Sequence, residues 1–241
     1  MAYIFDQDLE FLKNLSNDQL EILVNVLTKD EKCNSRMNED LTLQDNYKKH
    51  YPNHKKYWQE IAEEIQLNGG NTFVNMFRSG GVQYREVLED VCDKLDVDYR
   101  SNQSTSSIEN NLLLEVLRKS TEDMSSEDIK VISKELKLNI SNYTPQALMI
   151  AAQAAINASG FFVYQMSVVI ANSIAKQLLG HGLSFAANAG LTKVLSIFAG
   201  PIGWIISGAW LAIDIAGPAY RVSIPTCVTI ASLRNIYLGA K

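Results

Sequence analysis

The sequence predicts an all-α protein in which an acidic helical N-terminal domain is followed by an Ala/Gly-rich apolar helical hairpin or bundle. Three observations carry that expectation. Apolar residues recur at intervals of three and four, as in Leu20, Leu23, Val24 and Leu27 and in Val87, Leu88, Val91 and Leu95, so each helix has one apolar stripe and a charged outer face. No stretch alternates apolar and polar residues between turn signals, which argues against a sheet. Charge is divided: residues 1–145 hold 26 of the 27 Asp and Glu and 17 of the 22 Lys and Arg, while from Gln146 to Leu233 only Lys176, Lys193, Asp214 and Arg221 are charged. A chain of 241 residues accommodates two such parts, each with a core, and the division falls at 1–140 and 145–241. Their opposite net signs favour mutual attraction.

The helices are placed by their starts and stops. Ser16 with Gln19, Ser106 with Glu109 and Ser125 with Asp128 have capping spacing ahead of an apolar run, and Thr144 precedes Pro145 at a first helical position. Asn68, Gly69 and Gly70, and again Ser79, Gly80 and Gly81, read as helix stops around a short segment, 71–78. Neither glycine pair has the flanking residues of a phosphate loop. Arg100–Ser107 (RSNQSTSS) reads as a loop and Leu138–Tyr143 as the linker into the second half. The last helix is expected over Thr226–Leu238, after turns at Pro218 and Pro225, with Arg234 near an interfacial end.

The apolar half offers two stretches for a membrane hairpin, 146–175 and 194–213. The first carries no formal charge and, at about 1.5 Å per helical residue, is long enough to cross a bilayer core of about 30 Å. Gln153, Asn157, Gln165, Asn172 and Ser173 interrupt it, and in lipid each amide would need a partner. The second contains Trp204 and Trp210 and is the more convincing span, although Pro201 breaks its helix near Phe198. Ala199, Gly203 and Ser207 at four-residue spacing would let another helix approach closely. The same Ala and Gly content makes the pair tolerable inside a soluble bundle. Asp214, if buried, is expected to pair with Arg221.

Several function classes fall away. The first twenty residues have neither a basic start nor an unbroken apolar core, which excludes a secretory signal and sets the expectation of a cytoplasmic protein. Without a Lys/Arg-rich stripe, nucleic acid is not an expected partner. Cys33, Cys92 and Cys227 are widely spaced and read as free thiols. His50 and His54 have a helical ligand spacing, but Pro52 stands between them and no third ligand is near, so they read as surface residues and no metal or cofactor is expected. The neighbouring acids Glu63 and Glu64 diverge around a helix, and no nucleophile motif is present, so an enzyme is not supported. Tyr47, Tyr51, Tyr57 and Trp58 are interleaved with Lys48, Lys49, Lys55 and Lys56, the one basic and aromatic patch of the first half; it could touch nucleic acid or anionic lipid, but a solvated helix face is the commoner meaning of such a pattern.

Three blocks carry a family resemblance: DQDLEFLKNLSNDQLEILVNVLTKD, GGNTFVNMFRSGGVQYREVLEDVCDKL and AGPIGWIISGAWLAIDIAGPAYRVSIPTCVTIASLR. With them the chain resembles the YaaW-like family of bacterial proteins over nearly its whole length, and the middle block resembles the wider grouping named for ubiquinol-cytochrome c chaperones. The resemblance implies a bacterial source and a helical, protein-binding domain; it supplies no catalytic residues.

Two functional expectations follow. In the first, the protein is non-enzymatic and its acidic domain docks or regulates a membrane-associating C-terminal half, with Lys176, Lys193 and Arg221 at lipid headgroups, Trp204 and Trp210 at the interface, and homo-oligomers burying the amides. In the second, the apolar helices are a permanently buried core of a soluble protein-binding or chaperone-like module, with Arg78 and Arg85 as candidate contacts.

Overall fold

A computed structural model describes residues 3–30, 33–36, 39–68, 81–158, 160–183, 191–203 and 220–239. Among them the chain forms ten α-helices and no strand: α1 (Asn17–Thr28), α2 (Asp45–His50), α3 (Trp58–Asn68), α4 (Tyr84–Lys94), α5 (Thr105–Thr121), α6 (Ser126–Glu135), α7 (Pro145–Ala158), α8 (Gly160–Leu179), α9 (Thr192–Phe198) and α10 (Tyr220–Gly239). Short 3-10 turns at Glu10–Asn14, Leu41–Leu43 and His54–Tyr57 join the early elements. The all-α expectation holds.

Local chemistry explains the starts. Ser16 and Gln19 form a full capping box on α1, and the Ser125 hydroxyl accepts the Asp128 N–H at the start of α6. Thr144 Oγ1 accepts the Ala147 N–H at 3.2 Å, so the Pro145 helix begins where expected. The Ser106–Glu109 box does not form. Ser104 caps α5 by accepting from the Ser107 N–H, because a start two residues earlier turns Glu109 inward, where it is fully buried.

Two helices end in a left-handed residue other than glycine. Asp96 (φ 55°) and Lys137 (φ 55°) follow α4 and α6, with Val97 N–H returning to Cys92 O and Leu138 N–H to Ser133 O. An aspartate at this site combines backbone strain with a negative charge at the negative end of the helix dipole. Asp96→Gly is therefore expected to stabilise the protein by about 1 kcal/mol, raising Tm by about 2–4 °C in a chain of this size. An unchanged or lower Tm in a thermal melt would refute the reading.

The centre of the fold is α10. Every residue from Val222 to Arg234 is buried, and the helix packs on α8, α1, α5, α4 and α3. It starts at Tyr220 and runs through Pro225, where a turn was expected. Pro225 has no N–H for the Arg221 carbonyl, and Arg36 Nη2 donates to that carbonyl at 3.3 Å in its place.

The long apolar stretch is two helices, α7 and α8, and α8 is covered by protein: Gln165 to Ala175 are all buried against α10, α1 and α9. No helix among the described residues is long and apolar enough to cross a membrane. The first arm of the expected membrane hairpin, 146–175, thus finds no support, since the apolar surface of α8 that would face lipid faces α10. Of 194–213 only the part to Gly203 is described; α9 ends at Phe198, ahead of Pro201. The buried apolar residues of both halves form one contiguous cluster.

Candidate functional site

Helix α7 is the least covered long helix. It carries no formal charge, and only Leu148 and Ala152, one turn apart, are buried, where it packs on α5, α6 and α8. Gln146, Ile150, Gln153, Ala154 and Asn157 are exposed, Ile150 at 73%. Just beyond, Phe161 of α8 is 53% exposed, with the Lys137 ammonium 5.5 Å from its ring centroid. An aliphatic side chain set among amides and small residues can bury area and exchange hydrogen bonds with a polypeptide. It holds no acid, base or nucleophile.

Helix α10 is anchored by a buried polar cluster. Arg234 Nε donates to Glu109 Oε2 at 2.7 Å and its Nη2 to Asp8 O at 2.7 Å, while the guanidinium lies 4.3 Å from the Phe11 ring centroid. The Tyr84 hydroxyl donates to Glu109 Oε1 at 2.9 Å, and the Tyr84 N–H to Asp6 Oδ2 at 2.6 Å. Thr105 Oγ1 donates to Asp8 Oδ2 at 2.7 Å. Burial pushes the Glu109 carboxyl up, against the pull of Arg234 and Tyr84, and pushes the Tyr84 hydroxyl up as well. Both Glu109 oxygens accept a hydrogen bond, and the cluster fastens α10 to α4, α5 and the N-terminal segment.

A second polar region lines an open cleft of about 430 Å³ bordered by Asp40, Leu43, Gln44, Asp45, Glu63 and Leu67. Behind it, Glu64 is 2% exposed; its carboxylate accepts the Asp40 N–H at 3.2 Å and Asn68 Nδ2 at 2.8 Å. Burial pushes its pKa up to about 7. Glu63 and Glu64 are both buried, because the 39–44 segment folds over this end of α3. His54 is also buried, at 2% exposed, with Nδ1 against the Tyr57 hydroxyl; burial lowers its pKa. The surface placement expected for it is corrected by the turn at Pro52, which folds the ring inward. Among the described residues no group of three or more His, Cys, Asp or Glu is placed to hold a metal ion.

The residues named from sequence divide as follows. Arg85 is half-buried, donating to Glu89 Oε1 at 2.8 Å, Gln103 O at 2.8 Å and Ser101 O at 3.0 Å, so it holds the 100–104 loop to α4. Arg221 is exposed at the start of α10. Arg78, Trp204, Trp210 and Asp214 lie outside the described residues. Arg234, expected at an interfacial end, is 8% exposed inside the cluster above. Its signal was available, as the one charge inside the helix expected over Thr226–Leu238, but Glu109 is 125 residues away in sequence.

Comparison with known proteins places this architecture. A UPF0174 protein of Helicobacter pylori is 47% identical over 97% of this chain and 93% of its own length, and the UPF0174 protein YaaW of Escherichia coli K12 is 31% identical over 97% and 96%. The chain belongs to the UPF0174, YaaW-like family. A second H. pylori UPF0174 protein is 42% identical over 83% of this chain and 98% of its own. Residues 53–227 of this UPF0174 chain match the family described as ubiquinol-cytochrome C chaperone, and residues 3–37 match one described as a domain of unknown function (DUF3944). No solved structure matches. The chaperone match runs from the Pro52 turn to the buried middle of α10 and so includes α7.

Proposed function

We propose that this protein is a non-enzymatic, cytoplasmic protein-binding module of chaperone type, whose apolar helices are a permanently buried core and whose partner is a polypeptide received on the uncharged face of α7. The observation that carries the reading is Ile150, a large aliphatic side chain 73% exposed on a helix without charge. The family description speaks for a polypeptide as the partner. Burial of α8 and α10 against each other removes the need for lipid to cover them. In this proposal the acidic half, 1–140, serves as the body on which α10 is fastened.

The test is photo-crosslinking from position 150 of the full chain, with reduced and carboxymethylated α-lactalbumin as a permanently unfolded probe. An adduct is expected from position 150 and not from the exposed position 86 on the charged α4, which packs on α10, α5 and α3. Ile150→Asp with Ala154→Asp is expected to weaken binding of the same probe at least about tenfold, as loss of one buried aliphatic contact and gain of two charges require. Equal adducts from both positions, or unchanged affinity in the variant, would sink the reading.

A further inference from the structure

The turn between α2 and α3 presents four ammonium groups that nothing among the described residues neutralises. Lys48 and Lys49 close α2, Lys55 and Lys56 stand on the 3-10 turn that follows, and all four are exposed. Five other cations of the acidic half have local partners: Lys13, Arg85, Arg118, Lys119 and Lys130 each pair with a carboxylate three or four residues away. Here the available acids are turned aside. Asp45, one turn before Lys49, borders the open cleft, and Glu60, one turn after Lys56, accepts from Asn46 Nδ2.

The platform that carries these lysines is braced. Asn17 of α1 donates Nδ2–H to Pro52 O at 3.3 Å and accepts the Lys55 N–H at 3.2 Å. Tyr47, Tyr51, His54 and Tyr57 pack ring against ring, with centroids 5.2 to 5.8 Å apart. Tyr51 remains 56% exposed in the middle of the four lysines.

We propose that this turn receives an acidic segment of a polypeptide partner, a reading that rests on the protein-binding function proposed above. Charge complementarity selects the occupant. The surrounding half carries the chain's excess of acids, which disfavours a run of Asp and Glu there, and the turn sets four exposed ammonium groups together against that background. Ammonium groups on long stems match carboxylates without demanding a fixed geometry, and the Tyr51 ring offers contact area to an apolar residue within the run.

The test is fluorescence anisotropy of the full chain with a fluorescein-labelled peptide of alternating Asp and Glu. Binding is expected at about 50 mM salt and its loss at about 300 mM, where exposed charges are screened. The K48E/K55E variant, whose folding is checked by its thermal melt, is expected to bind at least about tenfold more weakly, and K119Q/K130Q as tightly as the parent. No peptide binding at low salt, or equal binding by K48E/K55E, would overturn the proposal. Binding of phosphatidylglycerol vesicles that K48E/K55E loses, without peptide binding, would put a membrane in the peptide's place and overturn it too. Absence of peptide binding by the parent protein with the position-150 adduct intact refutes this proposal and leaves the α7 surface standing.

Discussion

Replacing Arg234 with Met is expected to cost about 3–5 kcal/mol of folding stability, because it leaves the Glu109 carboxylate buried with one donor fewer and no counter-charge. The side chains of the pair are 10% and 0% exposed, so solvent cannot substitute for the lost guanidinium. Two further contacts go with it: the bond to Asp8 O, and the stacking on Phe11 that ties the N-terminal turn to α10. Arg234→Lys is expected to recover little, since one ammonium cannot reach Glu109 and Asp8 O while lying flat on a ring. The double variant R234M/E109M should regain most of the loss, apolar side chains replacing a pair whose desolvation offsets much of its attraction. Urea unfolding of the parent, R234M, E109M and R234M/E109M closes the cycle. A single-variant cost below about 1 kcal/mol would mean that α10 is held by its apolar contacts alone. At acid pH the deficit of R234M should shrink, because the orphaned Glu109 escapes its cost by taking a proton.

What the sequence revealed, and what it hid, follows the range of the interactions. Ser16 with Gln19, Ser125 with Asp128 and Thr144 before Pro145 were legible because a cap is made within four residues. The start of α5 was misplaced because Ser104 and Ser106 both precede the apolar run, and the choice turns on Glu109 reaching Arg234, 125 residues on. The continuation of α10 through Pro225 was hidden for the same reason: Arg36, which satisfies the Arg221 carbonyl, is 185 residues distant. The burial of α8 was ambiguous in principle, since a helix apolar on most sides reads alike whether lipid or α10 covers it. For the candidate surface, the lack of charge on α7 was visible, but which of its sides remained open depended on where α5 and α8 packed.

Glu64→Gln is expected to stabilise the protein by about 2–3 kcal/mol at pH 8 and to change little at pH 4. The carboxyl titrates near its ordinary 4.5 in the unfolded chain and about 7 in the folded protein, where burial opposes the charge more than the Asn68 and Asp40 donors favour it. Between those values the folded state keeps a proton that the unfolded state has released, so this group's contribution is full below about 4.5, declines as pH rises, and is lost above about 7. The facing acids, Glu39 and Asp40, push in the same direction and move the ionisation of Glu64 further up. Glutamine has the same shape and no proton to lose, so the difference between the parent and E64Q isolates this site from the other carboxylates. Urea midpoints from pH 4 to pH 8 should therefore diverge progressively, the variant being the more stable at the alkaline end. Parallel curves would mean that Glu64 stays ionised throughout, its charge satisfied by the Asp40 N–H and Asn68 without net cost.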